Sequence, residues 1–307
     1  MKRLPQIGWL KDGMRLHLQD GPIDLIVEAH ASEANLRMAY QAAARRFAGL
    51  LDELCDELPL LRAAADPKRC LLKGGVARRM HAAVAPLALD HFITPMAAVA
   101  GAVAEEILGA MVREAKLDRA YVNNGGDIAL HLADGAQFTV GLADRPDQPG
   151  RMATTVIAAS DPSRGVATSG RHGRSFSLGI ADAVTVLART AAQADAAATI
   201  IANAVDLPGH PAIVRCRADE LQPDSDLGAR LVTRHVDLLE ECEIVSALEA
   251  GLEKARVLLA RGLIDGAALR LQGETLVVGP GKFDANRPSV VSRPKIESAI
   301  MEGAIYA

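Results

Sequence analysis

The chain has 307 residues, with 34 Lys and Arg against 38 Asp and Glu, a formal charge of -4, and half of its residues hydrophobic. High apolar content with so little net charge excludes a disordered chain and provides for a sizeable core. The slightly acidic balance and the nine aromatic residues argue against a dedicated nucleic-acid binder, which needs a basic face and stacking platforms.

The first pattern along the chain is a hairpin. Met14-Arg15-Leu16-His17-Leu18 alternates with period two, as does part of 23–29, and Asp20-Gly21-Pro22 between them is a turn. From Ser32 the spacing becomes helical. Ser32 can cap a helix running through Leu36, Tyr40, Phe47, Leu50, Leu51 and Leu54, stopping before Pro59. A loop follows over 63–75.

Thr94-Pro95 opens a second helix, with Thr as N-cap and Pro at the first helical position, to about Ala115. Short strands are expected at 120–123, 127–132, 137–142 and 153–160, then a Gly-rich interruption over 165–179 and a buried strand at 183–188. Thr190 caps a third helix reaching about Val205. The last third gives a helix over 246–261, a hairpin around Gly273 and a loop-like tail from Gly279. Hairpins outnumber strand–helix alternation, and no linker marks a boundary, so the expectation is an α+β fold in a single domain over 1–307.

Cys55, Cys70, Cys216 and Cys242 form no C-x-x-C pair, and their irregular spacing suggests neither a zinc site nor a disulfide framework. Isolated thiols fit a reducing cytoplasm. The basic start, Met1 to Gln6, lacks a following apolar region, so no signal peptide is expected. The most lipophilic stretch, 92–104, has about 13 residues against the roughly 20 of a spanning helix. A cytoplasmic protein that leaves membranes alone is the expectation.

Three segments could carry chemistry. Asn123-Asn124-Gly125-Gly126-Asp127 lies between two apolar runs. It reads as a tight hairpin turn, because both central positions need φ > 0; the same glycines would let a ligand approach while Asn124 and Asp127 grip it. The stretch 164–179 holds Arg164, Arg171, Arg174, His172 and several hydroxyls among four glycines. It is either a solvated loop or a phosphate cradle, although it matches neither the P-loop nor the dinucleotide fingerprint. In the helix after Thr190, Asp195, Thr199 and Asn203 share one face, and Asp195 is the only charge in 16 residues. That face is either the wet side or a buried stripe, where a lone carboxylate needs a cation or several donors; Mg²⁺ would serve.

These segments in this order resemble the ApbE-like superfamily, whose characterised members are FAD:protein FMN transferases. The resemblance covers roughly residues 90–205. It rests on 97–106, Gly125-Gly126-Asp127, Ala167-Thr168-Ser169-Gly170, and Ala194-Asp195 with Thr199, and it points to an uncharacterised side branch. It implies a two-lobed fold with a ligand cleft between the lobes, Mg²⁺ on Asp195 and Thr199, and a flavin nucleotide (FAD or FMN) as cofactor. Asn124, Gly125, Gly126, Asp127, Thr168, Ser169, Gly170, Arg171 and Arg174 would form its pocket.

Two positions depart from the family. Its Lys before Gly is Ala100 here, and its His-Ile-Ile-Asp-Pro stretch, which carries the proposed catalytic histidine, is missing. His172 is then the one nearby candidate for proton transfer. The readings that follow are a Mg²⁺-dependent transferase-like or FAD-cleaving enzyme, a binding protein that kept the pocket and lost the chemistry, or an enzyme of another cofactor such as a pterin. The expected partner is a small nucleotide-like molecule, with a homodimer allowed.

Overall fold

A computed structural model describes residues 4–142, 153–279 and 304–306. Its centre is a nine-stranded, wholly antiparallel sheet. In chain order its strands are β1 (Gln6–Trp9), β2 (Leu16–Asp20), β3 (Ile23–His30), β4 (Arg119–Asn124), β5 (Asp127–Leu132), β8 (Gly165–Ser169), β9 (Ala183–Ala188), β12 (Gly266–Leu271) and β13 (Glu274–Val278), and they lie side by side in that same order. Between β5 and β8 the chain leaves to make β6 (Gln137–Leu142) and β7 (Ala153–Ala158). These pair with each other, and β14 (Ala304–Tyr306) joins β6 in parallel.

Two turns in the large sheet are fixed by backbone chemistry. Asp20 pairs with Ile23 around Gly21 at φ 58°, and Asn124 pairs with Asp127 around Gly125 at φ 65° and Gly126 at φ 113°. Side chains rarely tolerate that region, so the glycines set both registers.

The helices are α1 (Glu33–Phe47), α2 (Leu50–Asp56), α3 (Leu58–Leu61), α4 (Gly75–Val84), α5 (Val99–Glu114), α6 (Ala191–Ala204), α7 (Ala218–Leu221) and α8 (Glu241–Ala260). Alternate residues of β3, among them Leu25 and Val27, point into the main core with Phe47, Met80, Ile107, Met111 and Ile201. On the opposite face Phe138, Val140 and Ile157 of β6 and β7 pack on Tyr121, Ile128, Leu130, Val166 and Leu187. A strand covered on both faces has no wet side, which is why all six residues of β9 are buried.

The α+β class and most elements follow the sequence, with several corrections. The helix expected from Ser32 through Leu54 breaks at Gly49, whose φ is 82°. Helix α4 begins where the expected loop ends; the chain entering it is held by Glu57, which accepts the N–H groups of Lys73 and of the N-cap Gly74 at 2.6 and 2.7 Å. The Gly-rich stretch begins with strand β8. Helix α8 starts five residues before Ser246, at a capping box between Glu240 and Glu243. The two-stranded pair β10 (Ile213–Arg217) and β11 (Leu231–Val236) was not anticipated. The tail expected from Gly279 lies, beyond Gly279 itself, outside the described residues up to 303.

The 13-residue lipophilic stretch overlaps a longer helical run. Pro95–Glu114, 20 residues, is long and apolar enough to cross a membrane by length and composition alone, the one such run among the described residues. Here it is a core helix, more than half buried, and its three glutamates are paired, Glu114 with Arg45 at 2.5 Å. Glu105 meets Arg79 at 3.1 Å, and Glu106 meets Arg46 and Arg79 at 2.6 and 2.9 Å.

Candidate functional site

Helix α6 begins unusually close to its neighbours. A Cβ on Gly101 of α5 would lie 2.3 Å from the Ala191 carbonyl oxygen, and one on Gly165 of β8 only 2.2 Å from the Thr190 carbonyl. Backbone against backbone leaves no room for a side chain, so both glycines are steric requirements. Thr190 caps α6 by accepting the Gln193 N–H at 3.3 Å, as its position in the sequence predicts.

This approach brings Asp195 to the first turn of α5, where its carboxylate accepts the Gly101 N–H at 3.0 Å. Glu105 of α5 accepts the Ala192 N–H of α6 at 2.7 Å. Each helix therefore supplies the acid that satisfies the other's free amides. The Asn124–Asp127 turn meets the same place: Asn124 Nδ2 donates to the Ala100 carbonyl at 3.2 Å, and Asn123 Oδ1 accepts the Gly126 N–H at 2.8 Å. Ala100 thus contributes through its backbone.

Asp127 accepts the Thr168 N–H at 3.3 Å, and Thr168 exchanges a hydroxyl hydrogen bond of 2.8 Å with Thr185 of β9. Burial raises the Asp127 carboxyl well above the usual range, and the charge of nearby Asp195 raises it further, outweighing the Thr168 N–H and the Arg174 guanidinium. Burial also pushes Asp195 up to about 7, against the backbone N–H groups of Gly101 and Ala100. Two carboxyls that resist ionising together are a site for one proton or one cation.

Around this pair the structure assembles Asn124, Gly125, Gly126, Asp127, Thr168, Arg174 and Asp195. The Arg174 guanidinium rests on the turn: a Cβ on Gly125 would lie 2.6 Å from its Nη2, and its Nη1 donates to the Pro22 carbonyl at 3.3 Å. Thr199 is one helical turn beyond Asp195 on the same face. Asn203, a further turn on, accepts the Leu178 N–H at 3.0 Å and ties the end of the Gly-rich stretch to α6. Ser169 ends β8 opposite Val184, and Gly170 packs against the Asp182 carbonyl, 2.4 Å from where its Cβ would be.

Arg171 and His172 point elsewhere. Arg171, expected in the pocket, and His172, expected to transfer protons, both turn to Asp182: the Arg171 Nε and Nη2 meet Asp182 Oδ1 at 2.8 and 2.7 Å, and His172 Nε2 is 3.3 Å from the same oxygen. Asp182 Oδ2 accepts the Gln272 N–H at 2.5 Å, so this acid organises the strand turn behind it. Arg164 is spent on the carbonyls of Ala159, Asp161 and Ser163 at 2.6 to 2.7 Å. Sequence reasoning missed Asp182 and Thr185; a lone Thr inside the apolar run of β9 was the available signal for the latter.

The oxygens around the acidic pair are of the kinds that hard cations take. Asp127, Asp195 and Thr199 offer carboxylate and hydroxyl oxygens, and Mg²⁺ takes one or two carboxylates while leaving positions for water and phosphate. Among the described residues, no group of three or more His, Cys, Asp or Glu side chains is placed to hold a metal ion. Two cavities, of about 550 Å³ beside the first turns of α8 and about 800 Å³ between β1 and α1, lie away from the acidic pair.

An all-antiparallel sheet whose glycine turn meets two interlocked helices at paired acids defines an α+β protein with an acidic site at a strand turn. The chain belongs to the family described as AbpE bacteria, whose model matches residues 7–277. It is similar to UPF0280 proteins of three archaea. Identity is 41% over 113 residues with that of Methanothrix thermoacetophila (37% of this chain, 46% of the relative). It is 40% over 131 residues with that of Methanopyrus kandleri (42% and 48%), and 39% over 113 residues with that of Archaeoglobus fulgidus (37% and 45%). The chain thus spans less than half the length of these relatives.

Proposed function

We propose that this protein binds a phosphorylated, nucleotide-like cofactor, a flavin nucleotide such as FAD or FMN, in the cleft of a two-lobed ApbE-like fold. The observation that carries this reading is the Asp127–Asp195 pair beside Gly125, Gly126 and Arg174. Asp195 and Thr199, with Asp127 beside them, hold Mg²⁺, which when bound neutralises charge on phosphate oxygens. Arg174 donates to phosphate in bidentate fashion. The glycines keep the turn open to the ligand, and Asn124 fixes the turn against Ala100. A reducing, cytoplasmic setting accords with the four free thiols.

Two observations favour binding without turnover as a second reading. His172 is engaged with Asp182, and Ala100 replaces the family's lysine. Incubation with FAD and Mg²⁺ followed by chromatography separates the two: AMP and FMN appear with turnover, and intact FAD is recovered from a binder. If neither FAD nor FMN shifts the melting temperature with Mg²⁺ present, the flavin reading is wrong.

A further inference from the structure

The 800 Å³ cavity between β1 and α1 is of ligand size, and it is separate from the acidic pair. Asn124 pairs with Leu25 on β3, whereas the nearest β3 residue lining the cavity, Glu28, pairs with Tyr121 three residues further along. That is about 10 Å of strand. The walls are apolar and aromatic. Trp9, across from Leu16 on the edge strand β1, stands edge-on to Tyr40 with ring centroids 4.9 Å apart. Tyr40 is immobilised, accepting the Ala29 N–H at 3.1 Å and donating to the Met14 carbonyl at 2.9 Å. Trp9 and Met14 are nevertheless 55% and 64% exposed. Large apolar side chains left open around one concavity mark a binding surface more than a folding one.

The charge lining the cavity leans acidic. Glu28, Glu33 and Asp118 line it against the guanidinium of Arg37, with the His30 imidazole beside Glu28; Arg15, outside the lining, also acts on Glu28 and is engaged with Asp12. Glu28 is held ionised, its carboxyl below the usual range because His30 donates to it and Tyr121 adds a second hydrogen bond. Arg37 spends its charge on Glu33 at 3.1 Å. An aromatic wall within a carboxylate rim attracts a cation with an apolar body, since the ring face and the carboxylates favour positive charge together.

We propose that this cavity binds an apolar-bodied organic cation, a second ligand site independent of the acidic pair. Trp9 is the only tryptophan in the chain, so its emission reports the cavity directly. The probe is benzyltrimethylammonium, compared with the neutral near-isostere 2,2-dimethyl-3-phenylpropan-1-ol. The cation should give a saturable change in Trp9 emission and bind about tenfold more tightly than the alcohol. Asp118→Asn should weaken the cation and Arg37→Gln should strengthen it; both side chains are exposed and neither substitution disturbs packing. Calorimetry on Trp9→Leu should show the binding lost. Equal affinity for the alcohol, no saturable response at millimolar probe, or Trp9 emission that instead follows protein concentration through self-association would each overturn the proposal.

Discussion

The Asp195 carboxylate and the Gly101 amide, 94 residues apart in sequence, form a 3.0 Å hydrogen bond that joins two helices. The reciprocal bond from Ala192 to Glu105 makes the junction two-way. A single charge in an alanine-rich helix therefore has two tasks: it satisfies the start of α5, and it faces the Asn124–Asp127 turn.

Gly101→Ala tests the junction. The added methyl would meet backbone atoms of Ala191 and Ala192 at 2.3 to 2.7 Å, and backbone yields less readily than a side-chain tip. A loss of about 1–3 kcal/mol in urea unfolding is expected, the usual cost of overpacking. Wild-type stability in this variant would mean the helices are not in this contact.

The acidic pair sets a pH dependence. The Asp195 pKa is raised from 3.8 to about 7 on folding, so the folded state binds more protons than the unfolded state. Stability contributed by this group is therefore present in acid and falls as pH rises between about 4 and 7. Millimolar Mg²⁺ should reverse that fall by stabilising the ionised pair, by about 2.7 kcal/mol at a hundred times its dissociation constant. Asp195→Asn should flatten the profile and abolish the Mg²⁺ effect. Melting curves across pH with and without Mg²⁺ decide it, and a mutant with an unchanged Mg²⁺ shift removes Asp195 from the metal site.

Arg174 and Gly125 should act together on ligand. Arg174→Ala should weaken FMN roughly tenfold or more while leaving riboflavin nearly unaffected, because a charged hydrogen bond is worth about 1.5–3 kcal/mol. Gly125→Val strains a backbone at φ 65° and displaces the guanidinium, so binding should fall by more than thermal stability does. Titration calorimetry with both ligands checks this, and a uniform loss for FMN and riboflavin would point to damage in the fold.

Asp182 is expected to matter for folding rather than for ligand. Asp182→Ala strips Arg171, His172 and the Gln272 amide of their shared acceptor and should destabilise by about 2–4 kcal/mol. His172→Ala should leave both FMN affinity and any FAD cleavage close to wild type. Loss of FAD cleavage in a folded His172→Ala protein would instead restore His172 as the proton-transfer group.

Local chemistry was enough to determine the hairpin at Gly21, the Asn-Gly-Gly-Asp turn, the Thr190 cap and the apolar run of β9, because turns, caps and periodicity are decided by a few neighbouring residues. The stripe of Asp195, Thr199 and Asn203 was legible in the same way, from helical spacing. Tertiary structure alone decided where that stripe faces. Nothing near Gly101 in the sequence announces Ala191 as its neighbour, and nothing near Arg171 announces that Asp182 takes its charge. Helix α4 needed Glu57 from beyond its own turn, and α8 started early on a glutamate cap outside the apolar pattern. Burial of Asp127 with Asp195 depends on bringing a strand turn and a helix together across 68 residues, and pairings at that range are fixed by packing, which no local pattern records.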